Sequence, residues 1–349
     1  MRSTSLALIV ALLLLAGCST PPPGLPSAAD AARPPQVSSA ATGPAPKAAA
    51  SQAPEPGRSD DAGAEADGMM EKTRKTVRSS AEWLARGVDS WFGDKPFEDG
   101  GKVSDGRVIV GLRRPDTGGT STALRLNARF RLPNLEERAY AFVGRDDERD
   151  VIEDIPGGLT RDQRLYQVRS DNRSFFAGLG VPLSSWVDMR VGFRGGIKPY
   201  GQARYSKPWQ LTDRDLLEFR ETVFWSVDER VGSTTALSFE RAISRTLAVR
   251  LLNAATITQE SEHFKWSSVL GTYRGFGEQR LLALEAIASG AGGSGVGLDD
   301  YGLQVRWEQP VHKDWLLGEV VVGYFRPRPD EASARESSWA FGGYLKMHF

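Results

Sequence analysis

Cysteine is all but absent from this chain. Cys18 is the only one among 349 residues, so no disulfide can form within it. Histidine is scarce too, with three residues, and no metal site or cofactor is expected. Charge of either sign is not in excess: Lys+Arg and Asp+Glu both number 44. The basic surplus that nucleic acid requires is therefore missing. Long apolar runs are missing as well. After residue 16 no window approaches the ~20 consecutive apolar residues of a spanning helix. Together with a mean hydropathy of −0.35, this excludes a polytopic helical membrane protein.

What is present begins at the N-terminus. Arg2 gives a positive start and Leu6 to Leu15 form an apolar segment of signal-peptide length. Leu15-Ala16-Gly17-Cys18 follows. This resembles the lipobox of bacterial lipoproteins, which implies a signal peptide over 1–17 and acylation of Cys18. By the same resemblance, Ser19 favours sorting to the outer membrane. Residues 18–68 are rich in Pro, Ala, Ser and Gly. With almost no large apolar side chains they cannot offset their ordering entropy, and a lipid-anchored disordered linker is expected.

Residues 69–95 differ. Val77, Leu84, Val88 and Trp91 recur at helical spacing, widened by Trp83 and Phe92. An amphipathic helix is expected. It could pack against the periplasmic mouth of a barrel, plug its lumen, or lie in the membrane interface.

From Gly106 onward the period changes to two. In Leu124 to Leu132, the residues Leu124, Leu126, Ala128, Phe130 and Leu132 alternate with Arg125, Asn127, Arg129 and Arg131. A strand places these two sets on opposite faces. The pattern recurs, and 14 segments begin near residues 107, 122, 136, 173, 184, 198, 215, 230, 245, 261, 278, 299, 314 and 336. The connections sort into short turns, such as Pro182-Leu183 and Ile243-Ser244, and longer loops, such as 145–172, 289–298 and 326–336. Short periplasmic turns and longer outer loops mark outer-membrane barrels. Because every backbone polar group must be paired inside a bilayer, only helices and closed barrels can span it. The expected fold is all-β: an antiparallel transmembrane β-barrel over 105–349, of about 14 strands, with 12 as the alternative. An even count puts both barrel termini on the periplasmic side, where a lipidated Cys18 would sit.

The chain ends with Phe341, Leu345, Met347 and Phe349 on one face of a last strand. This resembles the C-terminal signal read by the outer-membrane barrel assembly machinery. Trp83-Leu84 and Val88-Asp89-Ser90-Trp91-Phe92-Gly93-Asp94 precede the first strand and the Leu124 to Gly144 hairpin. This stretch resembles a group of uncharacterised proteobacterial outer-membrane β-barrel proteins. The resemblance implies a barrel and carries over no functional residue.

The inward face is the candidate functional surface. It carries Arg125, Arg129, Arg131, Arg190, Arg220, Arg250 and Arg306 against Glu218, Glu240, Glu285 and Glu308, with Glu319 in the same phase. One reading is a salt-bridge network that stiffens the wall, because charges kept from water need partners. The other is a water-filled pore whose arginines attract anions. Asp146, Asp147, Glu148, Asp150, Glu153 and Asp154 crowd the longest loop, and a solvated loop is expected there. His312 is expected solvated in a turn, His348 inward, and His263 near an outer rim without an oriented catalytic partner. No catalytic residue is assigned, and the chain is expected not to be an enzyme. The expected function is an outer-membrane lipoprotein channel or plugged pore for small solutes. The alternative is a structural or assembly-related anchor that binds a periplasmic protein partner. Outer-membrane lipids and the barrel assembly and lipoprotein sorting machinery are the other expected partners.

Overall fold

The computed structural model describes residues 70–79, 82, 102–116, 119–131, 139–157, 165, 173–261, 264–277, 279–292, 297–328 and 335–349. The signal peptide, the lipobox, the linker, the Trp83 to Asp94 stretch and His263 lie outside these residues. A helical segment, α1, covers 70–79. The strands are β1 (Lys102–Pro115), β2 (Ser121–Arg131), β3 (Tyr140–Asp147), β4 (Arg173–Pro182), β5 (Val187–Arg194), β6 (Lys198–Thr212) and β7 (Asp215–Ser226). They continue with β8 (Arg230–Ala242), β9 (Leu247–Thr258), β10 (Phe264–Phe276), β11 (Arg280–Gly292), β12 (Asp300–His312), β13 (Leu316–Phe325) and β14 (Ser338–His348). A short helix, α2 (Glu148–Ile152), follows β3.

Each strand pairs antiparallel with the next, and β14 pairs with β1, so the sheet is a closed barrel of 14 strands. At the closing seam Val110 lies opposite Leu345 and Gly111 opposite Tyr344. Closure leaves no strand edge unpaired, which is the condition for crossing a bilayer with strands.

Register carries each face of the wall from strand to strand. Leu179 pairs with Val191, Val191 with Gly201, Gly201 with Trp225 and Trp225 with Val231. This is the outward face. Its apolar side chains are uncovered: Val191 is 58% exposed, Leu303 57% and Val320 58%. Such a continuous apolar surface is not tolerated in water. Aromatic residues border it at both ends. Trp225 and the Tyr324–Trp339 pair, with ring centroids 5.1 Å apart, lie toward one end. Trp186 and Trp209 lie toward the other. An apolar band between aromatic girdles is the signature of a transmembrane barrel.

Two strands begin away from their expected places. β1 starts at Lys102 rather than near 107, because a bulge between Val103 and Asp105 breaks the period of two. β3 starts at Tyr140 rather than near 136. The sorting of connections by length holds only in part. The longest loops, 148–172 and 326–337, share one end, but so do 195–197 and 227–229, which are as short as the turns opposite.

Inside, the barrel holds an apolar core. Ile109, Leu252, Val269, Ile287, Val321, Phe325 and Tyr344 project from the wall and pack with Leu165. Leu165 follows α2 in the β3–β4 connection, so the chain enters the lumen at this residue.

Candidate functional site

Register places Arg125, Arg129 and Arg131 (β2), Arg190 (β5), Glu218 and Arg220 (β7), Glu240 (β8), Arg250 (β9), Glu285 (β11), and Arg306 and Glu308 (β12) on the inward face. Glu240 and Arg250 stand directly opposite each other. The other charges gather mainly into two groups.

The first group spans β3 to β7. Tyr140 Oη donates to Asp188 Oδ2 at 2.6 Å. Arg190 Nε donates to Tyr140 Oη at 2.9 Å and to Asp188 Oδ2 at 3.2 Å. Arg204 Nη2 reaches Asp188 at 3.0 Å, while its Nη1 reaches both oxygens of Asp154 at 3.2 Å. Arg220 lies 4.0 Å from Asp154 and 3.3 Å from Glu218. The arrangement depends on Gly180, which is paired with both Tyr140 and Arg190. A Cβ there would stand 2.2 Å from Tyr140 Cζ. Only glycine lets the ring lie across the wall.

The second group spans β10 to β14. Glu285 accepts from Tyr273 Oη at 2.9 Å, Gln304 Nε2 at 2.6 Å and Arg306 Nη2 at 3.1 Å. Arg306 Nη1 donates to Glu319 at 3.3 Å, and Lys346 Nζ joins Glu319 at 2.7 Å and also bonds Glu308. The signs alternate across neighbouring strands, so each charge is flanked by its opposite, as burial requires. Glu285 and Glu319 are both 4% exposed.

The β3–β4 loop is fastened into the first group. Asp147 caps α2 by accepting from Arg149 N at 3.0 Å and Asp150 N at 3.4 Å. Glu148 pairs with Arg194 of β5 at 2.9 Å and Arg149 with Glu229 at 3.3 Å. Gln202 Nε2 donates to the carbonyls of Val151 and Ile152, each at 2.6 Å. Those carbonyls end a helix too short to satisfy them internally. Ile152 is fully buried among Tyr140, Phe142, Phe176, Tyr200 and Phe224. Asp154 also accepts from Thr222 Oγ1 at 3.0 Å. It sits at φ 50°, a left-handed conformation uncommon for a residue with a side chain. Its contacts with Arg204 and Thr222 hold it there. Further along, Leu165 packs over Gly342, where an added Cβ would lie 2.7 Å from Leu165 Cδ2.

Two expectations are corrected. The acidic cluster from Asp146 to Asp154 is not a solvated loop. Glu148 and Asp154 answer arginines of the wall, and Asp147 and Glu153 are buried. Sequence order hides this, because the partners lie about 50 residues downstream. His312 is half-buried rather than free in the turn. Its ring packs edge-on against Trp315 with centroids 5.3 Å apart. His348 lies on the inward face beside Lys346.

Of the three placements considered for the N-terminal helix, α1 makes contacts at the turn end of the barrel. Arg74 lies 5.2 Å from the Trp315 ring centroid and Glu71 lies 3.7 Å from Lys313 Nζ. Among the described residues, 148–157 and Leu165 of the β3–β4 connection lie in the lumen.

These features define a transmembrane barrel with a charged, internally obstructed lumen. No protein-family model matches the chain, and no curated protein matches it. Solved structures with a similar outline include a KdgM porin, at 8% identity over 70% of this chain and 99% of that one, with a TM-score of 0.33. They also include outer-membrane expressed OmpT of Vibrio cholerae, at 9% identity over 71% and 98%, with a TM-score of 0.41. OccK11 of Pseudomonas aeruginosa is similar at 10% identity over 72% and 96%, with a TM-score of 0.40. At these values they say nothing of what this barrel passes or binds.

Proposed function

We propose that this protein is an outer-membrane channel for small solutes whose passage is limited by its β3–β4 loop. The carrying observation is the loop itself, held in the lumen by Arg194, Arg204 and Gln202 and by the burial of Ile152 and Leu165. A barrel needed only as an anchor has no use for a polar seat that receives a loop. The seat is built from ion pairs and hydrogen bonds that can exchange with water, whereas the β10–β14 group is buried and serves to brace the wall. Arg190, Arg204 and Arg220 converge on the same level of the lumen, balanced by Asp188, Glu218 and the loop's Asp154; when the loop leaves, Asp154 leaves with it, and the arginines then in excess attract anions.

In this reading the chain is also lipidated at Cys18, with the lipid on the periplasmic side. Phe341, Leu345, Met347 and Phe349 form its assembly signal. Phe341, Leu345 and Met347 face outward on β14, where such a signal is readable before the barrel closes. The test is swelling of liposomes containing the purified protein in solutes of graded size. Uptake of small anionic sugars or carboxylates, lost above a sharp size limit, supports the proposal. Vesicles that do not swell in any solute, with folded barrels present, overturn it.

A further inference from the structure

The outward stripe of β7 runs Leu217, Phe219, Glu221, Val223, Trp225. One of these does not belong in lipid. Glu221 lies midway between Trp225 and Leu217, the latter paired with Trp209, and so near mid-height between the aromatic girdles. Ionisable groups at that depth are costly and are retained where they meet a partner. Ser233 and Thr235 on β8 donate hydroxyls to the Glu221 carboxylate, the second at 2.6 Å. These satisfy hydrogen bonding without cancelling the charge. Among the described residues no lysine or arginine forms an ion pair with it.

The same face carries an opposite charge in the same condition. Lys207 of β6 is paired with Phe219, one outward step from Tyr205, the partner of Glu221. Its Nζ rests 6.0 and 5.5 Å from the Trp186 and Trp209 ring centroids. No acid among the described residues forms an ion pair with it. Small outward positions lie on either side: Gly201 and Ala203 on β6, and Ser233 and Thr235 on β8, next to the apolar Phe219 and Val223 of β7. Small residues permit close approach of two walls within a membrane.

We infer that the outward face centred on β6 and β7 binds a second copy of this chain, with Glu221 of each copy meeting Lys207 of the other. A two-fold axis along the membrane normal brings a patch against itself, and a patch bearing one acid and one base is complementary to itself. A lipid acyl chain has no group to meet the carboxylate. A different protein would not need the acid and the base to lie side by side.

The test is cross-linking of the full chain in native outer membranes. Tyr205→Cys, beside both Glu221 and Lys207 and so next to the two-fold axis, is expected to yield a disulfide-linked species of twice the chain mass. Val110→Cys, on the far side of the barrel, and the unaltered chain with its single Cys18 are expected to yield none. In the Tyr205→Cys background, Glu221→Lys and Lys207→Glu should each abolish the band, and the two together should restore it. Folding is checked by the shift between heated and unheated protein on gels. A Tyr205→Cys protein that is folded but gives no band, or a band of another mass, overturns the inference. So does a band that survives both single reversals.

Discussion

Replacing Asp154 by asparagine tests the hold of the wall on the loop with little change of shape. The side chain keeps its size and its contact with Thr222, 3.0 Å away, and loses only its charge. On the wall no cation is stranded. Arg204 keeps Asp188 at 3.0 Å and Arg220 keeps Glu218 at 3.3 Å. The effect therefore falls on the docked loop. A hydrogen bond to a charged group contributes roughly 1.5–3 kcal/mol, and water reaches this partly exposed pair, so a loss of about 2 kcal/mol is expected. At about 1.4 kcal/mol per tenfold, the undocked loop becomes roughly 30-fold more populated. The assay is hydrogen exchange of the 148–157 amides in the folded barrel, with the β7–β8 amides as an internal reference. Exchange should accelerate by about that factor in the loop and be unchanged in the strands. Loop exchange within twofold of the parent protein would show that the ion pairs do not hold the loop, and the reasoning would fail.

Other outcomes follow from the same contacts. Leu165→Ala removes a side chain 1% exposed and should weaken docking by about 2–5 kcal/mol, read as faster proteolytic cutting of the loop in folded protein. Glu285→Gln strips the charge that faces Arg306 at 3.1 Å and should lower barrel stability by about 3 kcal/mol in urea titrations, with loop exchange unaltered. Cys18→Ala should abolish incorporation of labelled palmitate while leaving the heat-modifiable barrel intact. Phe349→Ala removes the ring that packs against Gly106 beside Val103. It should reduce the folded fraction in outer membranes, measured by the same gel shift.

Much of the wall was legible from a period of two. Leu124, Leu126, Arg125 and Arg129 declare their sides because a strand alternates whatever its neighbours do. The number of strands followed from counting such stretches. Their ends were less legible. The bulge at Val103 and Asp105 inserts a residue that the alternation cannot absorb. Pairing was not legible at all. Nothing local to Asp154 announces Arg204 and Thr222, or local to Glu285 announces Tyr273 and Arg306, because these contacts depend on register and on a loop that turns inward. One sign of inward folding was available. Ile152, Ile155 and Leu165 are large apolar residues within a loop otherwise dense in charge, and a loop bathed in water has no use for them. Glu221 was legible too, as an acid set between Leu217, Phe219, Val223 and Trp225 in the outward stripe of β7.

The central claim is that the β3–β4 loop limits a pore. It is tested most directly by single-channel recording in planar bilayers, comparing the full chain with a version whose residues 148–172 are replaced by a short glycine-serine turn. The account expects small conductance steps from the full chain. It expects larger, more anion-selective steps from the shortened one, because removing the loop takes away Glu148 and Asp154 and leaves the arginines of the wall. Equal conductance in the two proteins, or silence from both when folded, would contradict it.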